Sequence, residues 1–166
     1  MIGPALDLAN WLCLSARVEP ASLRPGERGR VVVEVTVPEG CHVESHDPSE
    51  PWLIPTVLGV EAPEGIAAGE VAYPEGEERT FDWSPAVLRV YRGTLELSAP
   101  VEVARGVSPG SVAVLARLSY QGCTESLCLM PSEQAVEAWV EIATDEDEGG
   151  EGRGDGCGRT DPRANR

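Results

Sequence analysis

The residue pair best suited to covalent chemistry is Cys123 and Cys128, which are separated by four residues in the segment YQGCTESLC (120–128). Two thiols at this spacing can form a stabilising disulfide, contribute to a metal site, or alternate between dithiol and disulfide. The segment follows a run of alternating apolar residues and contains residues typical of turns. We therefore expect the pair at the end of a β-strand, and three chemical roles have to be compared.

A purely stabilising disulfide is an inefficient use of this spacing. In the chain-entropy model, closing a loop of about five residues stabilises a fold by roughly 2 kcal/mol, against about 5 kcal/mol for a loop of about 100 residues. A disulfide beside turn residues is accessible to an attacking thiolate, and a short loop favours its reduction. The spacing favours thiol–disulfide exchange, and a non-catalytic interaction module with a structural disulfide is the first alternative.

A metal site is the second alternative. His42 and His46 lie four residues apart beside Cys41, and zinc and copper prefer Cys and His ligands. No second CxxC or HxxxH pattern lies near the cysteine pair, as zinc sites usually require. The alternative is a copper- or zinc-binding protein that uses Cys41, His42, His46 and the cysteine pair, whereas exchange needs no metal and no organic cofactor.

The elements that position the pair are predicted to be β-strands. Five runs alternate apolar and polar residues with the period of a strand that has one buried face: WLCLSARV, RVVVEVTV, TLELSA, SVAVLARLSY and AVEAWVEI. Turns rich in Pro and Gly separate them, with Pro-Glu-Gly at 38–40, 63–65 and 74–76. We predict an all-β, immunoglobulin-like sandwich over residues 1–143, without the Cys…Trp…Cys spacing of antibody domains.

Composition separates a tail from this domain and excludes some functions. Residues 144–166 are charged, rich in Gly and free of large apolar side chains, so we predict a disordered acidic tail or linker. The chain of 166 residues has a formal charge of −15, which disfavours nucleic-acid binding. No apolar run approaches the ~18 residues of a membrane helix. The first residues, with Asp7 and no basic residue before Arg17, are a poor secretory signal.

The segment LSYQGCTESLCLMPSE (118–133) resembles the active-site segment of the N-terminal domain of the DsbD family of thiol:disulfide interchange proteins. The shared positions are Tyr120, Gln121, Gly122, Cys123, Cys128, Pro131 and Glu133. PEGCHVESHDPSEPWLIPT and LRVYRGTLELSAPVEVA are similar to two further segments of the family, and the resemblance covers roughly residues 8–143. The loop between the cysteines is one residue shorter than in the best-known enterobacterial members, and no membrane domain follows.

This resemblance implies an extracytoplasmic domain, in the periplasm or on the outer face of the cytoplasmic membrane. The domain would act as a protein-disulfide reductase and electron-transfer component. Its Cys123–Cys128 dithiol would receive electrons from a membrane-embedded partner or thioredoxin-like donor. It would reduce thioredoxin-fold acceptors such as disulfide isomerases or the thioredoxin of cytochrome c biogenesis. We expect a monomer. In the family the second cysteine forms the mixed disulfide, which makes Cys128 the exchanging sulfur and Cys123 the resolving one.

The resemblance also implies a supporting set of residues. Two aromatic positions that line the disulfide in the family fall on His42 and Glu44, which would remove aromatic shielding and place a proton acceptor beside Cys128. The alternative is that both are exposed strand residues. The acidic pair and the Phe of the family's cap loop fall in GEERTFDW, and Tyr120 and Trp139 are expected to pack. The supporting set is His42, Glu44, Glu77, Glu78, Phe81 and Tyr120. Cys13, Cys41 and Cys157 lie outside the matched motif.

Overall fold

Strands make up all the regular secondary structure of the described residues. The structure is a computed structural model that describes residues 11–144 and 153–155. In chain order the strands are β1 (Cys13–Glu19), β2 (Ser22–Leu23), β3 (Arg28–Thr36), β4 (His42–Glu44), β5 (Val57–Glu61), β6 (Ile66–Ala68), β7 (Glu77–Phe81), β8 (Ser84–Tyr91), β9 (Thr94–Val103), β10 (Gly110–Tyr120), β11 (Gly122–Cys123), β12 (Ser132–Ile142) and β13 (Arg153–Asp155).

The strands form three sheets, with the orders β13-β1-β3-β9-β6, β2-β12-β10-β5 and β11-β4-β8-β7. The prediction of an all-β, immunoglobulin-like sandwich is confirmed, and the five alternating runs lie in β1, β3, β9, β10 and β12. Neighbouring strands are antiparallel, except that β2 pairs with β12 in parallel. Among the described residues, no helix is long and apolar enough to cross a membrane.

The main core lies between the first two sheets, where β1 packs against β12. The alternating residues face it as their period predicts. The strands β3 and β10 contribute Val31, Val33, Val35, Ala116 and Leu118, each at most 1% exposed. Val32 is also fully buried although it points to the other face of β3, so the alternation does not describe the middle of this strand. Burial of so many β-branched residues stabilises the sandwich independently of any disulfide.

A second, smaller core lies in the third sheet, which carries the cysteine pair. It consists of Leu53, Leu88 and Val90, with Phe81 and Trp83 packed against it. The short strand β4 is buried along its whole length. It pairs with β8 on one side and with β11 on the other, so that Cys123 lies opposite His42. The third sheet therefore positions the candidate site.

Part of the segment predicted as a tail falls within the described residues. Residues 153–155 form β13, which pairs antiparallel with β1. Residues 145–152 and 156–166 lie outside the described residues. The disordered tail and the domain boundary at residue 143 therefore stay predictions.

Candidate active site

Cys123 and Cys128 form a disulfide across a short hairpin. Their Cα atoms are 4.0 Å apart, and the two residues form an isolated antiparallel bridge. The Thr124 N–H donates to the Leu127 carbonyl at 2.7 Å, and the Leu129 N–H donates to the Gly122 carbonyl at 2.7 Å. Because hydrogen bonds close the hairpin on both sides of the disulfide, its backbone does not depend on the covalent bond alone.

The two cysteines differ sharply in exposure. Cys123 is 1% exposed, whereas Cys128 is an exposed residue. Next to Cys128 the apolar side chains of Leu127 and Met130 are 53% and 75% exposed. An attacking thiolate from another protein can therefore approach Cys128 far more easily than Cys123, and it would meet an apolar surface there.

The residues before Cys123 explain why it is buried. Tyr120 is itself buried and stacks on Trp11, with ring centroids 6.1 Å apart. A Cβ atom at Gly122 would lie only 2.6 Å from the Trp11 ring, so only glycine lets the chain pass beneath this ring. Gln121 donates a hydrogen bond from Nε2 to the Leu129 carbonyl at 3.0 Å. The Tyr-Gln-Gly-Cys motif thus packs the first cysteine inward and ties it to the far side of the hairpin.

A buried glutamine holds this arrangement to the residue just before the first strand. The Tyr120 hydroxyl donates to Gln134 Oε1 at 2.6 Å, and the Leu12 N–H donates to the same oxygen at 2.8 Å. Gln134 Nε2 donates to the Leu12 carbonyl at 2.9 Å. Sequence reasoning missed both Gln134 and Trp11. The signal for Gln134 was available, because it stands in phase with the buried residues Val136 and Ala138 of β12.

His42 and Glu44 are buried next to Cys123. Each is 1% exposed, so the alternative that they are exposed strand residues is wrong. Potential metal-ligating atoms of His42, Glu44 and Cys123 all lie within 4.8 Å of one another. Within the described part of the chain, His42 Nε2 and both carboxylate oxygens of Glu44 have no hydrogen-bond partner. The titratable pair therefore lies beside the buried sulfur of Cys123, which is bonded to the Cys128 sulfur beside which the resemblance implied a proton acceptor.

Burial shifts the pKa values of His42 and Glu44 in opposite directions because it disfavours the charged form of each side chain. Burial, together with the smaller effect of the positive charges of Arg92 and Arg79, lowers the pKa of His42 to about 4. Burial raises the pKa of Glu44 to about 7. At neutral pH the imidazole of His42 is uncharged, and the carboxyl group of Glu44 is present in both its protonated and its ionised form.

Aromatic rings cover His42 on the side of the β7–β8 hairpin. The Phe81 ring stacks on the imidazole with centroids 4.4 Å apart, and Trp83 stacks on Phe81 at 5.3 Å. The pairing of β7 with β8 is irregular between Arg79 and Phe81, a feature that often redirects a side chain. Phe81 therefore covers the imidazole of His42. Trp83 was missed by sequence reasoning, although it stands only two residues after Phe81.

The acidic pair of the supporting set lies outside this buried group. Glu77 and Glu78 are exposed residues of β7. The Glu77 carboxylate accepts hydrogen bonds from Arg92 at 3.1 and 3.2 Å, and Arg92 lowers its pKa. Since a lowered pKa makes Glu77 a weak base, the buried Glu44 is the carboxyl group best placed to act on a sulfur.

The five residues considered for a metal site are not brought together. Of these, only His42 and Cys123 belong to the single group of three potential ligands in the described part of the chain. His46 instead stacks on Tyr73 with centroids 3.6 Å apart and donates from Nδ1 to the Thr56 carbonyl at 3.1 Å. Cys41 is a free thiol whose pKa is raised by burial.

A comparison with protein families gives a match over most of the chain. The family model described as "Thiol:disulfide interchange protein DsbD, N-terminal" matches residues 13–138, which is most of the chain and includes both cysteines. A comparison with curated proteins gives no match.

Solved structures that match the chain include two bacterial domains. The reduced N-terminal domain of DsbD from Neisseria meningitidis is 19% identical, with 91% of this chain and 94% of that chain covered and a TM-score of 0.47. The N-terminal periplasmic domain of ScsB from Proteus mirabilis is 9% identical, with 82% of this chain and 48% of that chain covered and a TM-score of 0.50. At this identity the ScsB likeness supports the fold alone.

Proposed function

The chain belongs to the family of N-terminal domains of the thiol:disulfide interchange protein DsbD, and we propose that it passes reducing equivalents between proteins through Cys123 and Cys128. The observation that carries this proposal is the unequal exposure of the two bonded cysteines. Cys128 is exposed, whereas Cys123 is 1% exposed. Exchange through a mixed disulfide needs one reachable sulfur and one protected sulfur that resolves the complex.

The proposed reaction begins with the dithiol state. The thiolate of Cys128 attacks one sulfur of an acceptor disulfide, and the other acceptor sulfur leaves as a thiolate. The sulfur of Cys123 then attacks Cys128 Sγ, forms the intramolecular disulfide and releases the second acceptor sulfur. Two electrons have passed to the acceptor. A donor dithiol restores the starting state by the same steps in reverse.

The proposed partners are thioredoxin-fold proteins on the outer side of the cytoplasmic membrane. Electrons would come from a membrane-embedded or thioredoxin-like donor and pass to acceptors of the disulfide isomerase or cytochrome c maturation type. An extracytoplasmic location is in keeping with the ScsB domain, whose structure is described as periplasmic. Leu127 and Met130 support docking, because exposed apolar side chains beside the reactive sulfur suit the apolar rim of a thioredoxin fold.

Electron transfer to a thioredoxin-fold protein tests this proposal. The fully reduced chain is mixed with an oxidised thioredoxin-fold protein, and free thiols of both proteins are alkylated and separated by a gel shift. The chain should become oxidised as the partner becomes reduced, and the Cys123→Ser, Cys128→Ser double variant should transfer nothing. A reduction potential below about −300 mV, with no transfer, would indicate a structural disulfide instead.

A further inference from the structure

We propose that Glu44 is the base that takes the proton from the Cys123 thiol when Cys123 closes the disulfide. This inference rests on the exchange function proposed above and assigns a role to a carboxyl group on the neighbouring strand. It places the proton acceptor at the resolving step, on the buried side of the disulfide, and not at the first attack by Cys128.

The two thiols of the reduced protein need different ways of losing a proton. Cys128 is exposed, so its thiol can ionise into water. Cys123 is 1% exposed, and burial in apolar surroundings disfavours a thiolate. Since only the thiolate attacks a disulfide, the resolving step requires a proton acceptor close to Cys123.

Glu44 is positioned to be that acceptor. It lies on β4, which pairs with β11, and its carboxylate, His42 and the sulfur of Cys123 lie within 4.8 Å of one another. Neither carboxylate oxygen has a hydrogen-bond partner in the described part of the chain. A buried carboxyl group without a partner is costly and rare in proteins. Its free oxygens are therefore available for a proton from Cys123, directly or through one water molecule.

The other charged and titratable groups around this carboxyl group do not compete with it. His42 is packed under Phe81 and faces the positive charges of Arg79 and Arg92, and its pKa of about 4 makes it a weak base near neutral pH. On β7, Glu77 is held by its ion pair with Arg92, and Glu78 is exposed. The pKa of Glu44, raised to about 7 by burial, matches a base that works near neutral pH.

The step balances in protons and electrons. It starts from the mixed disulfide between Cys128 and the partner, with Cys123 as a thiol and Glu44 as a carboxylate. The proton moves from Cys123 to Glu44, and the Cys123 sulfur forms a bond with Cys128 Sγ. The bond from Cys128 to the partner sulfur breaks, and its electron pair leaves on the partner thiolate.

Kinetics with a small aromatic disulfide test this role in the full chain. Cys13, Cys41 and Cys157 are replaced by Ser, and the reduced protein is mixed with dithiobis(nitrobenzoic acid) in the presence of EDTA. The fast release of one coloured thiolate reports the attack by Cys128. The release of the second reports closure by Cys123. Glu44→Gln should slow the second release by about 100-fold or more, as expected for a lost general base, and leave the first release unchanged.

The pH profile separates a base from a structural role. In the parent protein the rate of the second release should rise with an inflection near the pKa of Glu44, and Glu44→Asp should keep an inflection. Glu44→Gln should lose it, while Glu137→Gln, at an exposed position of β12, should match the parent. An unchanged second release in Glu44→Gln, or a slower one with the inflection retained, would overturn the proposal. A parent protein that binds two reagent molecules and never closes its disulfide would instead refute the exchange function.

Discussion

Glu44 and His42 lie side by side in the third sheet but respond to their burial in opposite ways. The folded protein prefers Glu44 with its proton and His42 without one. Below neutral pH their contributions to stability oppose each other. Burial of Glu44 favours the folded state at low pH, and burial of His42 favours it at higher pH. In the wild-type protein the two effects of pH on stability partly cancel. A substitution at one of the two residues should therefore make the pH dependence of stability from the other residue measurable.

The Glu44→Gln variant should gain stability relative to the wild-type protein as pH rises. The folded pKa of Glu44 is about 7 against a reference of 4.5, so its contribution is fully present below about pH 4.5 and lost as pH rises through about 7. Between about pH 5 and pH 8 the free energy of unfolding of the wild-type protein should fall by about 2–3 kcal/mol relative to that of the Glu44→Gln variant.

Urea denaturation of both oxidised proteins at the two pH values measures this difference. His42 is present in both proteins, so its own pH dependence cancels in the comparison. The same stability difference at both pH values would show that Glu44 has an ordinary pKa in the folded protein.

At the scale of elements, the hairpin that carries the cysteines is held by its neighbours. β11 pairs with β4, and the Trp11 ring lies against Gly122. The hydrogen bonds from Thr124 to Leu127 and from Leu129 to Gly122 close the hairpin itself. The position of Cys123 therefore depends on a ring that comes from the start of the described chain.

Gly122→Ala should destabilise the fold by about 1–3 kcal/mol, as overpacking does in a filled core. The added Cβ would lie 2.6 Å from the Trp11 ring, so the ring or the hairpin has to move. Gly59→Ala in β5 is the matched control, because its Cβ would meet only the Arg117 carbonyl at 3.8 Å. Thermal melting of the two variants compares them. Equal melting temperatures would mean that Trp11 does not restrict Gly122.

At the scale of the whole molecule, the sandwich core and the disulfide contribute separately to stability. The main core lies between the first two sheets, and the disulfide lies in the third. The Cys123→Ser, Cys128→Ser variant should therefore stay folded. Its free energy of unfolding should fall by only about 2 kcal/mol, as expected for a disulfide that closes a short loop. Circular dichroism and urea denaturation measure this. Loss of the β-sheet signal would show that the disulfide is needed for folding.

The long strands and the cysteine pair were predictable from sequence, because both rest on local patterns. Alternation in β1, β3, β9, β10 and β12 extends over six or more residues and gives a clear period. The strands β4 and β11 have three and two residues, too few to show a period. Their pairing places His42 and Glu44 inside, a burial that sequence reasoning left open.

Contacts between distant parts of the chain account for the remaining surprises in the site. Gln134 binds the backbone of Leu12 across a separation of 122 residues. Trp11, which lies just before β1, covers Gly122. Such contacts depend on how the sheets stack, which no local pattern encodes. Phe81 was found through the family resemblance, but its stacking on His42 required the structure.

Trapping of a mixed disulfide tests the central claim, the division of roles between the two sulfurs, most directly. Single variants Cys123→Ser and Cys128→Ser are reduced and mixed with a thioredoxin-fold protein that lacks its own resolving cysteine and carries an activated thiol. The adducts are then counted by non-reducing gel and mass spectrometry. Cys123→Ser should accumulate a stable adduct through Cys128, because Cys128 is exposed, and Cys128→Ser should accumulate none. Equal trapping by both variants, or trapping through Cys123 alone, would contradict the account.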